Sequence, residues 1–297
     1  MIAALVPVLV PVVVAILIGV VWGKHGKPVD PGAASQLILN VGTPCLIFST
    51  LSTLSIEPGE LGRMALASIF IMGGFIVIGP LMLRVLDLPR GVFLSPLVFG
   101  NLGNLGLPLS LFAFGQEGLE LALIMFATQS ILFFTIGMWL MSAQPSPLMM
   151  VKTPHPYAIA LALAFTLTDT APPVWLINAT ELLGGMTIPL MLVMLGVSLS
   201  RMHVTRFVRP LILALLRVGV GLGLAFVIGW VLGLEGLALG VVMIACCMPG
   251  AVFNYLMAVR FDRSPGEVAS YIVISTVAVL VLLPGLIPLA WWVAGTP

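Results

Sequence analysis

The stretch Gly100-Asn101-Leu102-Gly103-Asn104-Leu105-Gly106-Leu107-Pro108 sets two amides, closely spaced glycines and a proline in the middle of an otherwise apolar run. The run from Gly91 to Gly115 is long enough to cross a hydrocarbon core as a helix. Pro108 has no N–H, however, and in a regular helix its ring clashes with the carbonyl of Asn104, so a continuous helix is not expected. Backbone groups freed inside a bilayer are tolerated only where protein buries them or they line a wet cavity. The break therefore predicts a cavity, and with it a binding site.

Hydrophobic residues make up 60% of the chain and charged residues 8%, a mix unlike that of soluble domains. The apolar runs have helical length and lack the ten-residue alternation of an outer-membrane barrel. An all-α polytopic membrane protein is expected. Connections no longer than about a dozen residues leave no room for a nucleotide-binding, kinase or receptor domain. Lys24 and Lys27 follow the first apolar run instead of preceding it, so that run reads as a retained helix. Cys45, Cys246 and Cys247 fall inside spans without metal-ligand spacing and read as inert thiols.

Ten spans are predicted, at roughly 2–22, 32–54, 61–86, 91–115, 118–142, 156–168, 173–200, 207–233, 236–259 and 267–292. Lys24, Lys27, Arg84, Arg90, Lys152, Arg201, Arg206, Arg209, Arg260 and Arg263 lie at odd-numbered connections. Even-numbered connections carry Arg63 among Glu57, Glu60, Glu117, Glu120 and Glu235. Odd connections are therefore expected in the cytoplasm, with both termini outside a cell inner (cytoplasmic) membrane. Lys152-Thr153-Pro154-His155-Pro156 reads as a linker between residues 1–150 and 151–297.

Those halves have five spans each, opposite topology and matching details. Gly42-Thr43-Pro44 matches Thr187-Ile188-Pro189, and Leu107-Pro108 matches Met248-Pro249-Gly250. Ser130 lies near the place of Ser275 and Thr276. Two inverted five-helix repeats, with crossing broken helices at spans four and nine, are the sequence pointer to a transporter site at the midplane.

Each candidate site residue has a bland and a functional reading. Asn101 and Asn104 either cap freed backbone or face a ligand, and Asn254 recurs after the second break. The positive ends of half-helices would suit an anion. Gly103, Gly106 and Gly250 serve close packing, site formation or both. Ser275 and Thr276 have sufficient explanation in back-bonding to the previous turn, whereas the Gln129 amide cannot satisfy itself locally and should face the interior. Met248, beside Pro249, is a further lining candidate.

Glu181 is the one carboxylate placed inside a span, about 9–12 Å from its outer end. It reads as an interfacial charge or as a proton acceptor in coupled transport. Arg217, about two turns from the cytoplasmic end of span eight, reads as a snorkelling side chain. His25, His155 and His203 fall in cytoplasmic connections and form no metal constellation. No catalytic or phosphate-binding motif is found, so neither an enzyme nor a cofactor or nucleic acid is expected.

Asn101-Leu102-Gly103-Asn104-Leu105-Gly106-Leu107-Pro108-Leu109 with Phe114-Gly115, then Met248-Pro249-Gly250-Ala251 and Asn254-Tyr255, resembles the auxin efflux carrier family. The resemblance covers the whole chain, including Asn40 to Pro44 and Ile188-Pro189-Leu190. It implies a compact prokaryotic member, related to the bile acid:sodium symporters and built as a scaffold of spans one, two, six and seven beside a crossover bundle. It also implies a secondary carrier for a small organic anion such as malonate or malate, with Asn101, Gly103, Asn104, Gly106, Pro108, Gln129, Met248, Pro249, Gly250, Asn254, Ser275 and Thr276 as site candidates. Plant members carry Asn-Pro-Asn at both crossovers and this chain does not, so auxin is not named as substrate. The rival class is an anion channel or facilitative uniporter; a channel would call for a ring of charges or a filter repeated across subunits. A homodimer in the lipid bilayer is left open.

Neither 91–115 nor 240–259 contains an aspartate or glutamate. Neutral oxygens bind a monovalent cation weakly unless the substrate supplies charge. Substrate uptake into proteoliposomes is therefore expected to be equal in sodium-free and sodium-containing buffers; an absolute sodium requirement would refute this.

Overall fold

The computed structural model describes residues 2–25, 31–52, 58–137, 140, 153–168 and 170–295. Lys27, Glu57 and Lys152, used above to read the connections, lie outside the described residues. The chain runs through α1 (Ile2–His25), α2 (Pro31–Leu37), α3 (Thr43–Leu51), α4 (Pro58–Val85), α5 (Arg90–Val98) and α6 (Leu107–Leu132). It continues through α7 (His155–Leu167), α8 (Val174–Gly185), α9 (Thr187–Arg201), α10 (Val208–Leu232), α11 (Gly236–Cys247), α12 (Val252–Arg260) and α13 (Pro265–Ala294). Among the described residues the architecture is all-helical, and seven helical stretches have the length and apolarity to cross a membrane.

Seven is fewer than the ten spans expected, for three physical reasons. Residues Leu102–Leu132 count once, although Gly115 at φ 71°, ψ −159° interrupts them. A positive φ of this kind suits glycine, which has no Cβ to clash. In an unbroken helix Ser110 and Gly118 would stand about 12 Å apart, yet a Cβ on Gly118 would come 2.7 Å from the Ser110 carbonyl oxygen. The two arms thus fold back on each other. The apolar helices His155–Thr166 and Gly236–Cys247 are individually short, the latter because the chain breaks at its end.

Pro108 does not make the break that the sequence predicts at its own position. It sits in the first turn of α6, and the preceding turn, Leu102–Gly106, widens to π-helical geometry, with the Leu107 N–H donating to the Leu102 carbonyl. Pro44 is handled in the same way, by a π-helical turn over Ile38–Gly42 before α3. A wider turn relieves the clash between a proline ring and the carbonyl four residues back. The chain breaks earlier, at Phe99–Asn101, where Phe99 turns extended (φ −98°, ψ 93°).

Around these breaks α4, α6, α10, α11 and α13 pack into one continuous buried core. Val77, Leu81, Val227 and Trp230 stay exposed on α4 and α10, as a lipid-facing surface requires. Helix α1 lies directly against α9. A Cβ on Gly19 would collide with the Val193 carbonyl oxygen, and one on Gly196 with that of Ile16. Small residues let membrane helices approach at backbone distance. Gly196→Leu is expected to separate α1 from α9 at a cost of about 1–3 kcal/mol or more, read as a lower apparent Tm in detergent; an unchanged Tm would show that the contact does not hold the helices together.

Candidate functional site

Two helix breaks meet at the centre of the molecule. Phe99–Asn101 separates α5 from the Leu102–Gly106 turn, and Met248–Ala251 separates α11 from α12. Gly100 and Gly250 pair antiparallel, the Asn101 N–H donating to the Pro249 carbonyl at 2.7 Å and the Ala251 N–H to that of Phe99 at 3.2 Å. Backbone groups freed by one break are thus satisfied by the other, as burial in a membrane protein demands. Both positions are crowded: a Cβ on Gly100 would come 2.7 Å from Arg217 Nη2, and one on Gly250 2.8 Å from the Tyr271 ring.

Three carbonyls at the C-terminal ends of α5 and α11 are taken by one side chain. Arg217 of α10 is 1% exposed. Its Nε donates to the Leu97 carbonyl at 3.1 Å and its Nη1 to those of Cys246, at 3.2 Å, and Met248. The guanidinium also sits over the Phe75 ring, 4.7 Å from the centroid. A cation at two helix C-termini complements both negative dipole ends. The snorkelling expected of Arg217 is therefore corrected: three inward carbonyls and an aromatic face replace the water that it would otherwise seek. Among the described residues the ion pairs, Arg206–Glu267 at 3.2 Å and Arg209–Asp87 at 3.9 Å, are elsewhere.

On the other side of Gly100 lies a cavity of about 100 Å³. Asn101, Asn104, Gln129, Ser130 and His155 supply its polar lining, and Phe99, Phe126, Phe133 and Phe253 its aromatic walls. Phe133 stands edge-on to both Phe99 and Phe253, with centroids 4.8 and 5.0 Å apart. The Asn101 Oδ1 accepts the Asn104 N–H at 3.3 Å, which leaves its buried Nδ2 without a partner. Both ring nitrogens of buried His155 are also unpartnered. Buried polar atoms are nearly always bonded, and here three open ones belong to two residues that line a single cavity.

A model of the family described as membrane transport protein matches residues 4–155 and again 146–287. The chain belongs to this family. It is the auxin efflux carrier family that the sequence resembles. A transporter of Methanothermobacter thermautotrophicus, itself uncharacterized, is 27% identical over 269 residues, covering 86% of this chain and 87% of that protein. An uncharacterized transporter of Methanocaldococcus jannaschii is 23% identical over 282 residues, covering 89% and 90%. This chain is accordingly a multi-pass membrane transporter and not an enzyme.

The transporter's candidate residues separate into two groups. Asn101, Gly103, Asn104 and Gln129 line the cavity, and Gln129 also donates from Nε2 to the Gly100 carbonyl at 2.8 Å. The others do not line it. Gly106 packs near Met248, and Pro108, Met248 and Gly250 are buried in or beside the breaks. Pro249 supplies its carbonyl to Asn101. Asn254 has no exposure: its Oδ1 accepts from Ser95 Oγ at 2.9 Å, and its Nδ2 donates to the Phe99 and Ala251 carbonyls at 3.2 and 3.0 Å. Ser275 accepts the Gly250 N–H at 3.3 Å and donates to the Ile272 carbonyl, and Thr276 back-bonds to that same carbonyl.

Sequence reasoning missed His155, which it set in a cytoplasmic connection without a site role; the structure seats it as the first residue of α7, 3% exposed. A histidine beside a helix-starting proline was the only local signal. Glu181 lies outside the crossover cavity, exposed on α8 beside a separate space of about 500 Å³ lined by Ser49, Thr50 and Gln116. Because Asn254 stitches the two breaks, Asn254→Ala is expected to leave Ser95 Oγ and the Phe99 carbonyl short of partners. The loss is about 1–3 kcal/mol, visible as a lower apparent Tm, whereas Asn104→Ala, a part-buried cavity position, leaves Tm within the error of the wild type. Equal Tm values for wild type and Asn254→Ala would overturn this division.

Proposed function

We propose that this transporter carries a small organic anion, a mono- or dicarboxylate, by alternating access across the cytoplasmic membrane. Ten spans in two inverted five-helix repeats, residues 1–150 and 151–297, would place the paired breaks at the midplane, with cytoplasmic odd connections and both termini outside. What supports the repeat is the pairing of Gly100 with Gly250. That register also sets Asn104 and Asn254 at equal distances after the paired glycines. It revises the sequence match of Pro108 to Pro249. One amide of the equivalent pair lines the cavity and the other holds the breaks together.

The observation that carries the anion reading is the position of Arg217. Its buried charge has carbonyl partners and stands directly behind Gly100, which borders the cavity. No acidic residue is among the described residues lining the cavity. An entering carboxylate would be the counter-ion for this charge, with the Asn101 Nδ2 as a direct donor. Two opposite charges about 8 Å apart at an effective dielectric of about 20 attract by about 2 kcal/mol, roughly thirtyfold in affinity. The phenylalanine walls suit the anion's apolar body.

Saturable counterflow of carboxylates is expected for purified protein in liposomes, and conductance without saturation or exchange would favour a channel instead. Arg217→Gln keeps donors for the carbonyls and removes the charge. In folded, monodisperse protein it is expected to weaken carboxylate binding about thirtyfold; unchanged affinity would overturn the electrostatic argument.

A further inference from the structure

His155 is buried, yet neither Nδ1 nor Nε2 has a hydrogen-bond partner. Its ring stands edge-on to Phe126, with centroids 6.4 Å apart, and borders the cavity beside Asn101, whose Nδ2 is likewise open. We propose that His155 is a proton-binding site in the crossover cavity, taking a proton from hydronium or a buffer acid of the aqueous phase as a carboxylate enters, so that anion and proton cross together. This rests on the carboxylate reading above and adds the coupling ion to it.

The chemistry follows from what each group donates. A neutral imidazole has one N–H and one lone pair, and a carboxylate only accepts, so neutral binding leaves one ring nitrogen unsatisfied. An imidazolium has two donors. A carboxylate offers about four lone-pair sites, enough for the ring and the Asn101 Nδ2 together. Without the anion a charged ring would lie at the positive N-terminal end of its own helix, in an interior that already holds the Arg217 cation. The empty site therefore keeps the ring neutral.

Anion and proton then bind with mutual reinforcement, each raising the affinity for the other by the same factor. The proton ends on a ring nitrogen, the aqueous acid that gave it up is left as its conjugate base, and no bond of the carboxylate changes. The loaded site carries one negative charge fewer than the anion alone would give it.

Competing titratable groups are removed from this contact. Helix α7 packs against α3 and α6. These carry Cys45, Glu117 and Glu120, and α7 itself carries Tyr157; none of the four lines the cavity, nor does Arg217 behind Gly100. Glu181 borders the other space.

The test uses malonate as probe with full-length protein in detergent. Calorimetric titration in buffers of different ionisation enthalpy counts protons taken up on binding near neutral pH. Wild type is expected to take up about one proton per malonate, and His155→Gln none, with affinity about tenfold lower. Thermal unfolding of His155→Gln checks that the variant is folded, and His155→Asn serves as the second variant where it is not. Proton uptake that persists in the folded variant, or that is lost in Glu181→Gln alone, overturns the assignment. Wild-type malonate binding without proton uptake overturns it while leaving the carboxylate reading intact. If neither malonate nor any other carboxylate binds wild type, both fall together.

Discussion

The contact on which the centre of this protein depends is the guanidinium of Arg217 against the carbonyls of Leu97, Cys246 and Met248. A break in a membrane helix frees carbonyls that lipid cannot satisfy, and two breaks side by side would free twice as many. One side chain from a third helix answers both. Removing either partner from such a buried arrangement exposes an uncompensated charge or a set of unpaired carbonyls. The Phe75 face and the helix dipoles offset the desolvation of the cation. What remains uncompensated is its net charge, and the proposed anion reading rests on that surplus.

The two breaks pair with each other and have different duties. At the first, Asn101 caps the turn with its oxygen and leaves its nitrogen open to the cavity. At the second, Asn254 spends its whole amide on Ser95, Phe99 and Ala251. Gln129 and Ser275, each following a break in the chain, hold Gly100 and Gly250 by one bond apiece. A site placed between equivalent elements need not be symmetric; one arm can be rigid support while the other meets the ligand. The aromatic contacts among Phe99, Phe133 and Phe253 wall the cavity.

Much of this was legible in the primary structure. Apolar runs of helical length announced a helical membrane protein, and the amides and glycines between 100 and 106 announced an interrupted helix with a cavity. Four of the twelve lining candidates, Asn101, Gly103, Asn104 and Gln129, border that cavity. The location of the break was misread because Pro108 was judged by its clash in a regular helix, while a π-helical turn accommodates it. Asn254, Ser275 and Thr276 could not be sorted from Asn101 by residue type, since an amide or hydroxyl suits a cap as well as a ligand.

The sequence by itself determined the solvent that this chain folds in and the class of its elements. Hydropathy and the lengths of apolar runs are local properties, readable one residue after another. Tertiary structure decided which polar groups are already bonded and which remain open, because a donor's partner is often more than a hundred positions away, as Arg217 is from Leu97. It turned a nominally snorkelling arginine into the brace of both breaks and a histidine read as part of a connection into a cavity residue. Burial and pairing are sums over the whole packed chain, and no window of sequence contains them.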